Sequence, residues 1–377
     1  MTTLLMSLIA AALLVMAALY WRQVQEDEAS ERQQEEDDRV SPLLRGINYL
    51  LSDEPDLALQ EMVQVARLRS EAADVYMALG EMFRSKGEIG RAVRIHQNIL
   101  ARPDVAKALH LQAHLALGKD FQTGGLLDRA LRQYEKALAL QPDHVGALEA
   151  SLRIREQSSE WTEAEELLSR LEQIQGDSLH LHRAYLISEM AAAQAGKYPD
   201  EAMRSAEKAL SLDSACAHAY IVLMMLYLNR SDFTKAKEVL QKMWKAAAEH
   251  VHLLIPKVLD NQNFYEKHGY TMLMEFWKDR EDEELALTWL ESVERGDKLL
   301  RLKTELGFSA STLRASLRLA AIENTENESL SSHAIVWRDQ MKRFVCHECG
   351  VKVVELRWQC PQCHAWGSMH AIREEGL

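Results

Sequence analysis

Four of the five cysteines in this 377-residue chain fall in one C-terminal stretch, FVCHECGVKVVELRWQCPQCHAWG. They form two C-x-x-C pairs, Cys346 with Cys349 and Cys360 with Cys363. A C-x-x-C turn brings two thiolates to one side of a tight loop. Two such loops complete a tetrahedron of sulfurs around one structural metal ion, iron or zinc. The flanking residues suit that chemistry. Gly350, directly after Cys349, allows the positive φ that lets backbone N–H groups turn toward sulfur, and Pro361 presets the second turn. Between the pairs, VKVVELRW alternates and is rich in valine, which predicts a short hairpin strand pair. His347 and His364 lie inside the turns and are not needed as ligands, because four thiolates saturate the ion. Cys216, alone in SLDSACAHAY, reads as a small buried packing residue.

The cysteine window by itself allows three functions. Lys342, Arg343 and Arg357 with Phe344, Trp358 and Trp366 offer a basic and aromatic face that would suit nucleic acid. Bound iron would make an electron carrier. A metal that only holds together a module too small to fold alone would leave that module to pack on the rest of the chain or on a partner. Which of these applies depends on the elements that carry the window.

Those elements are acidic overall, with 57 Asp and Glu against 44 Lys and Arg for a net charge of −13. That balance argues against a chain built to coat nucleic acid or anionic lipid. At the N-terminus, TLLMSLIAAALLVMAALYW carries no charge, and about 20 apolar residues span a hydrocarbon core. No Lys or Arg precedes the run, as a cleaved signal peptide would require. Residues 1–22 therefore read as a single transmembrane anchor. Arg22, Arg32 and Arg39 follow it, which keeps the bulk of the chain in the cytoplasm, where clustered thiols hold metal rather than disulfides. Residues 23–39 form an acidic linker, extended by self-repulsion.

Beyond the linker lies a repeat. GINYLLSDEPDLAL, GEMFRSKGEIGRAV and GKDFQTGGLLDRAL each pair a Gly with a later Ala: Gly46 with Ala58, Gly80 with Ala92, Gly118 with Ala130. The alanine series continues through Ala164, Ala202 and Ala236, at spacings of 34, 38, 34, 38 and 34 residues. This resembles the tetratricopeptide pattern, in which small residues sit where paired helices cross. Ala130, Tyr134, Ala137 and Pro142 fit its second half closely. Six repeats over 40–249, degenerate helical repeats over 250–340 and a metal-binding ribbon over 341–377 complete the predicted order. The fold class is all-α, a tetratricopeptide superhelix with an N-terminal transmembrane helix and a small C-terminal rubredoxin-like zinc ribbon. ENTENESLSS, residues 323–332, reads as an exposed loop. Such arrays bind protein segments. The chain holds no P-loop, no G-x-S-x-G and no H-E-x-x-H, so it is read as no enzyme, with no catalytic residues. His96, on a repeat helix, reads as a core or surface residue.

Anchor, array and a terminus of LRWQCPQCHAWGSMHAIR together resemble the lipopolysaccharide assembly protein B family of Gram-negative bacteria. The resemblance implies that Cys346, Cys349, Cys360 and Cys363 are the metal ligands of a rubredoxin-like ribbon tied to the repeats. It also implies an inner-membrane, cytoplasm-facing adaptor that regulates lipopolysaccharide synthesis by bringing an LpxC-type deacetylase to an FtsH-type membrane protease. Further synthesis or transport proteins are partners it allows, as is a homo-oligomer, and nucleic acid is not expected. A general scaffold for envelope-synthesis enzymes is the alternative. Lys119, Asp120 and Asp128, in the best-formed repeat, are nominated as partner contacts together with Trp358 and Trp366.

Overall fold

The structure is a computed structural model that describes residues 21, 42–52, 54, 57–58, 60–61, 73–101, 106–176, 179–293, 297–323 and 341–373. The expected anchor (apart from Trp21), the acidic linker and all of ENTENESLSS except Glu323 lie outside these residues. No helix among the described residues is long and apolar enough to cross a membrane. The chain divides into two units after Pro142.

In the first unit, α1 (Pro42–Leu51) is followed by α2 (Ala73–Ser85), α3 (Ile89–Leu100), α4 (Lys107–Thr123) and α5 (Leu127–Leu140). Helix α2 packs on α3, and α4 on α5. The crossing points explain the glycines. A Cβ on Gly80 would lie 2.3 Å from His96 Nε2, and one on Gly118 would lie 2.5 Å from Tyr134 Cε1. The missing side chain is the space that the partner ring fills. Beneath the first crossing, the Asp120 carboxylate accepts hydrogen bonds from Arg84 at 2.8 Å and from His96 at 2.5 Å. Buried acids are stable only with such partners.

The second unit continues with α6 (Val145–Gln157), α7 (Trp161–Gln175), α8 (His180–Gln194), α9 (Pro199–Leu212), α10 (Ala217–Asn229) and α11 (Phe233–Ala246). Consecutive members pack as pairs, α6 on α7, α8 on α9 and α10 on α11. Ala58, Ala92, Ala130, Ala164, Ala202 and Ala236 are all fully buried, so the phased alanines of the sequence are where no larger side chain fits.

After α11 the hairpin rhythm gives way. A 3-10 helix (Ala248–Leu254) leads into α12 (Ile255–Asp260), and a π turn (Tyr265–Gly269) leads into α13 (Tyr270–Arg280). Helix α14 (Glu283–Ser292) then packs on the 3-10 helix, α12, α15 (Asp297–Leu306) and α16 (Leu313–Glu323). Trp289 on α14 is fully buried. One helix with four neighbours is a small bundle rather than a chain of hairpins.

The ribbon is a three-stranded antiparallel sheet in the order β2-β1-β3, from β1 (Phe344–Cys346), β2 (Lys352–Val353) and β3 (Met369–Ala371). VKVVELRW does not form a strand pair of its own, which corrects the sequence expectation. Only Lys352 and Val353 are in a strand, and their partners are Val345 and Phe344 in β1. The alternation has the right period, but its far half runs on toward the second cysteine turn.

Four interhelix turns share one geometry. Gly87, Gly125, Ser159 and Ser231 adopt left-handed φ of 80°, 73°, 57° and 58°. In each, the next N–H reaches back five residues, as in Leu126 N to Phe121 O at 2.8 Å and Glu160 N to Arg155 O at 2.9 Å. This is the Schellman closure, which favours glycine because an L side chain in that conformation costs about 1–2 kcal/mol. We expect Ser159→Gly and Ser231→Gly each to raise unfolding stability by roughly 0.5–1 kcal/mol, the gain being offset in part by unfolded-state entropy. Gly118→Ala should lower it by roughly 1–3 kcal/mol through overpacking on Tyr134. Denaturant titration of the three variants checks both signs.

Candidate metal centre and the docked ribbon

The two C-x-x-C turns are built alike. Gly350 N donates to Cys346 O at 2.9 Å, and His364 N donates to Cys360 O at 3.0 Å. The residue after each pair is left-handed, Gly350 at φ 75° and His364 at φ 61°. That conformation turns backbone N–H groups inward, and Gln362 N lies 3.4 Å from Cys360 Sγ. One cysteine of each pair is buried, Cys346 and Cys360, and one is exposed, Cys349 and Cys363.

Across the turns, Cys346 Sγ is 3.6 Å from Cys363 Sγ, and Cys349 Sγ is 3.6 Å from Cys360 Sγ. All four sulfurs lie within 4.8 Å of one another. A tetrahedron with metal–sulfur bonds of 2.3 Å has edges of about 3.8 Å. The donor set therefore fits one tetrahedral ion, iron or zinc, and neither His347 nor His364 is needed to complete it.

The ribbon's own core is Phe344, Cys346, Cys360 and Met369, with Leu253 of the 3-10 helix packed against it. So few apolar residues do not hold a fold by themselves, and the metal supplies part of the missing free energy. The helices supply the rest. Trp366 stacks on Tyr185 with ring centroids 6.1 Å apart, and Trp358 stacks on His218 at 5.2 Å. Gly367 lies so close that a Cβ would be 2.6 Å from the Tyr185 ring.

Polar contacts ring the aromatic seam. Gln359 Nε2 donates to Glu156 at 2.7 Å, and His182 also pairs with Glu156. Arg343 bonds Glu284 and Glu291 at 3.2 and 3.3 Å, acids already held by the buried Arg318. Arg373 donates to Asp282 at 2.7 Å. Ribbon and helices thus meet through an aromatic centre with polar contacts and ion pairs at its edges.

These placements settle where the nominated residues stand. Trp358 and Trp366 face the helices, Trp366 buried and Trp358 half-buried. Of the basic residues on the face that would have suited nucleic acid, Arg343 pairs with Glu284 and Glu291, while Lys342 and Arg357 are exposed. Lys119 and Asp128 are exposed on α4 and α5. Asp120 is fully buried with Arg84 and His96, and as an internal ion-pair acid it offers no docking surface. His96 is core, and Cys216 is buried 3.8 Å from Ser188 Oγ. Sequence reading missed Tyr185, His218 and Glu156, the helix side of the seam. They sit at ordinary helical positions with no motif of their own. The adjacent Trp366–Gly367 pair was the one available signal that a ring must approach the ribbon backbone.

His218 lies 3.6 Å from Glu189, both largely out of water. Burial pushes the Glu189 carboxyl up to about 7 and the His218 imidazole down to about 4. Both are held neutral, and their linkage runs in opposite directions. The raised carboxyl contributes instability that grows as pH rises from its unfolded value near 4.5 through 7. The depressed imidazole contributes instability that grows as pH falls from 6.5 toward 4. In the native chain the two slopes offset between those limits. Relative to wild type, Glu189→Gln should lose stability as pH falls through this window and His218→Gln as it rises, each by on the order of 3 kcal/mol. Denaturant melts at a series of pH values read this directly. Separately, Gly367→Ala should cost roughly 2–4 kcal/mol from its left-handed φ of 62° and the Tyr185 clash. Metal content should be kept, measured by elemental analysis beside tryptophan fluorescence.

Comparison with known proteins agrees with this layout. Residues 344–371 match the family described as "Rubredoxin metal binding domain". Lipopolysaccharide assembly protein B of Escherichia coli strain K12 is 27% identical over 87% of this chain and 88% of its own length. The protein of the same name from Haemophilus influenzae is 26% identical over 88% and 89%. Among solved structures, a crystal structure of MamA aligns with 48% of this chain and 95% of its own, at 20% identity and a TM-score of 0.35. The chain is thus similar to lipopolysaccharide assembly protein B along most of its length.

Proposed function

We infer that this chain is a non-catalytic scaffold in lipopolysaccharide assembly, acting as an adaptor at the bacterial inner membrane with its bulk in the cytoplasm. The observation that carries the reading is the seam between ribbon and helices. The metal module has turned its tryptophans and Arg343 inward onto α8, α10 and α14. What it adds is rigidity to a helical surface, and rigid helical surfaces bind protein segments. The names of the relatives supply the process.

In its finer form the proposal is an adaptor that presents an LpxC-type deacetylase to an FtsH-type membrane protease. An apolar N-terminal helix would associate with the protease in the bilayer while the helical units hold the deacetylase. Encounter then becomes intramolecular, at an effective concentration on the order of mM for a short linkage. Lys119 and Asp128 remain the proposed surface contacts, and the same surfaces leave room for a homo-oligomer.

Depleting the protein should raise deacetylase abundance severalfold when the protease is present and leave it unchanged when the protease is absent. Immunoblotting of the four combinations is the measurement. An unchanged level with the protease present would remove the adaptor mechanism and leave a general scaffold for envelope-synthesis enzymes.

A further inference from the structure

Outside the four thiolates, one more group of metal-ligating side chains converges among the described residues: Glu249, His250 and His370. Their donor atoms all lie within 4.8 Å of one another. Glu249 Oε2 is 3.2 Å from His370 Nδ1, and Glu249 Oε1 is 3.7 Å from His250 Nδ1. Glu249 and His250 belong to the 3-10 helix, whereas His370 is the central residue of β3. The cluster therefore straddles the seam.

The hydrogen bonding around it is incomplete in an informative way. Both His250 Nδ1 and His370 Nδ1 are buried and make no hydrogen bond. The Glu249 carboxylate faces both nitrogens as an ion-pair partner, 3.7 Å from His250 and 3.2 Å from His370. Two buried imidazole nitrogens converge on one carboxylate, which serves both at less than ideal hydrogen-bond geometry for His250 at 3.7 Å. A cation between them would satisfy all three. Bonds of about 2.0–2.1 Å to nitrogen and oxygen require separations of about 3.3 Å in a tetrahedral site, so only small side-chain movements are needed.

Beside the cluster is a recess of about 190 Å³ lined by Glu249, His347, His370 and Arg373. It leaves room for water in the remaining coordination positions. Arg373, at the edge of the recess, has its guanidinium bonded to Asp282. On the other side, the His347 ring of the first cysteine turn stacks on His370 with centroids 3.9 Å apart.

The geometry points to a second divalent-cation site, formed by Glu249, His250 and His370, that clamps the ribbon to the helices. Two imidazoles and one carboxylate select zinc over magnesium or calcium, which prefer all-oxygen sites. The two sites differ in purpose. The four-thiolate ion holds the ribbon together, and this one fixes where the ribbon sits. With three protein ligands and no thiolate, it binds more weakly than the first and responds to available zinc.

The test uses full-length, untagged protein with its four-thiolate site loaded, titrated with cobalt(II) as an optical probe and with zinc by calorimetry. Wild type should take up one further equivalent. Its cobalt spectrum should show d–d bands without new thiolate charge-transfer absorption. In His250→Gln/His370→Gln the affinity for this equivalent should fall by more than about 100-fold, beyond the 10–100-fold cost of disturbing outer-shell partners alone. The bands of the four-thiolate site should persist, showing that the variant ribbon is folded. Glu249→Gln, which keeps the shape and removes the charge, should weaken binding in the same direction. Absence of a further equivalent in wild type, or its survival in the double variant, overturns the assignment.

Discussion

A ribbon whose own core cluster is Phe344, Met369 and two of its cysteines has too little core to hold itself, and that shortage governs the C-terminal part of the chain. It is met twice over. Inside the ribbon, four sulfurs at tetrahedral spacing accept one ion. Outside it, Trp358 and Trp366 bury against Tyr185 and His218, and Gly367 gives up its side chain so that the Tyr185 ring can come close. Each helix at the seam carries a polar or titratable residue whose partner is on the ribbon or beside it. Glu156 bonds Gln359, His218 stacks on Trp358, Glu249 pairs with His370 and Glu284 with Arg343.

The helices follow a different economy. Their crossings are set by absent atoms: Gly80 admits His96, Gly118 admits Tyr134, and the six phased alanines close the spaces between pairs. Rings and small residues complement each other across the pair. Where the phase ends, after α11, the packing becomes many-sided, with α14 at its centre and Trp289 wholly enclosed. Arg318 is buried there because Glu284 and Glu291 hold it, and Arg343 brings the start of the ribbon into the same network.

Much of this was legible from residue types and spacing. Two C-x-x-C pairs with Gly350 and Pro361 beside them specify their own local geometry, because a metal tetrahedron tolerates few alternatives. Alanines at a fixed interval specify helix crossings for the same reason. What stayed hidden is what depends on contacts distant in sequence. Asp120 looks like a surface charge until Arg84 and His96 are seen around it. Trp358 and Trp366 look like exposed recognition aromatics until Tyr185, nearly two hundred residues earlier, is placed beneath them. The valine-rich run between the cysteines has strand alternation, yet its pairing partner is chosen by the cysteine turns on either side and not by its own period.

The central claim is that metal, ribbon and repeat helices form one cooperative structure, so that the ribbon is part of the scaffold and not a separate reader attached to it. Native-state hydrogen exchange before and after metal removal tests this most directly. The account predicts that chelation abolishes protection in the ribbon and, together with it, lowers protection in α8 and the 3-10 helix, while α2 to α5 are unaffected. Loss of protection confined to residues 341–373, with α8 and the 3-10 helix unchanged, would contradict it.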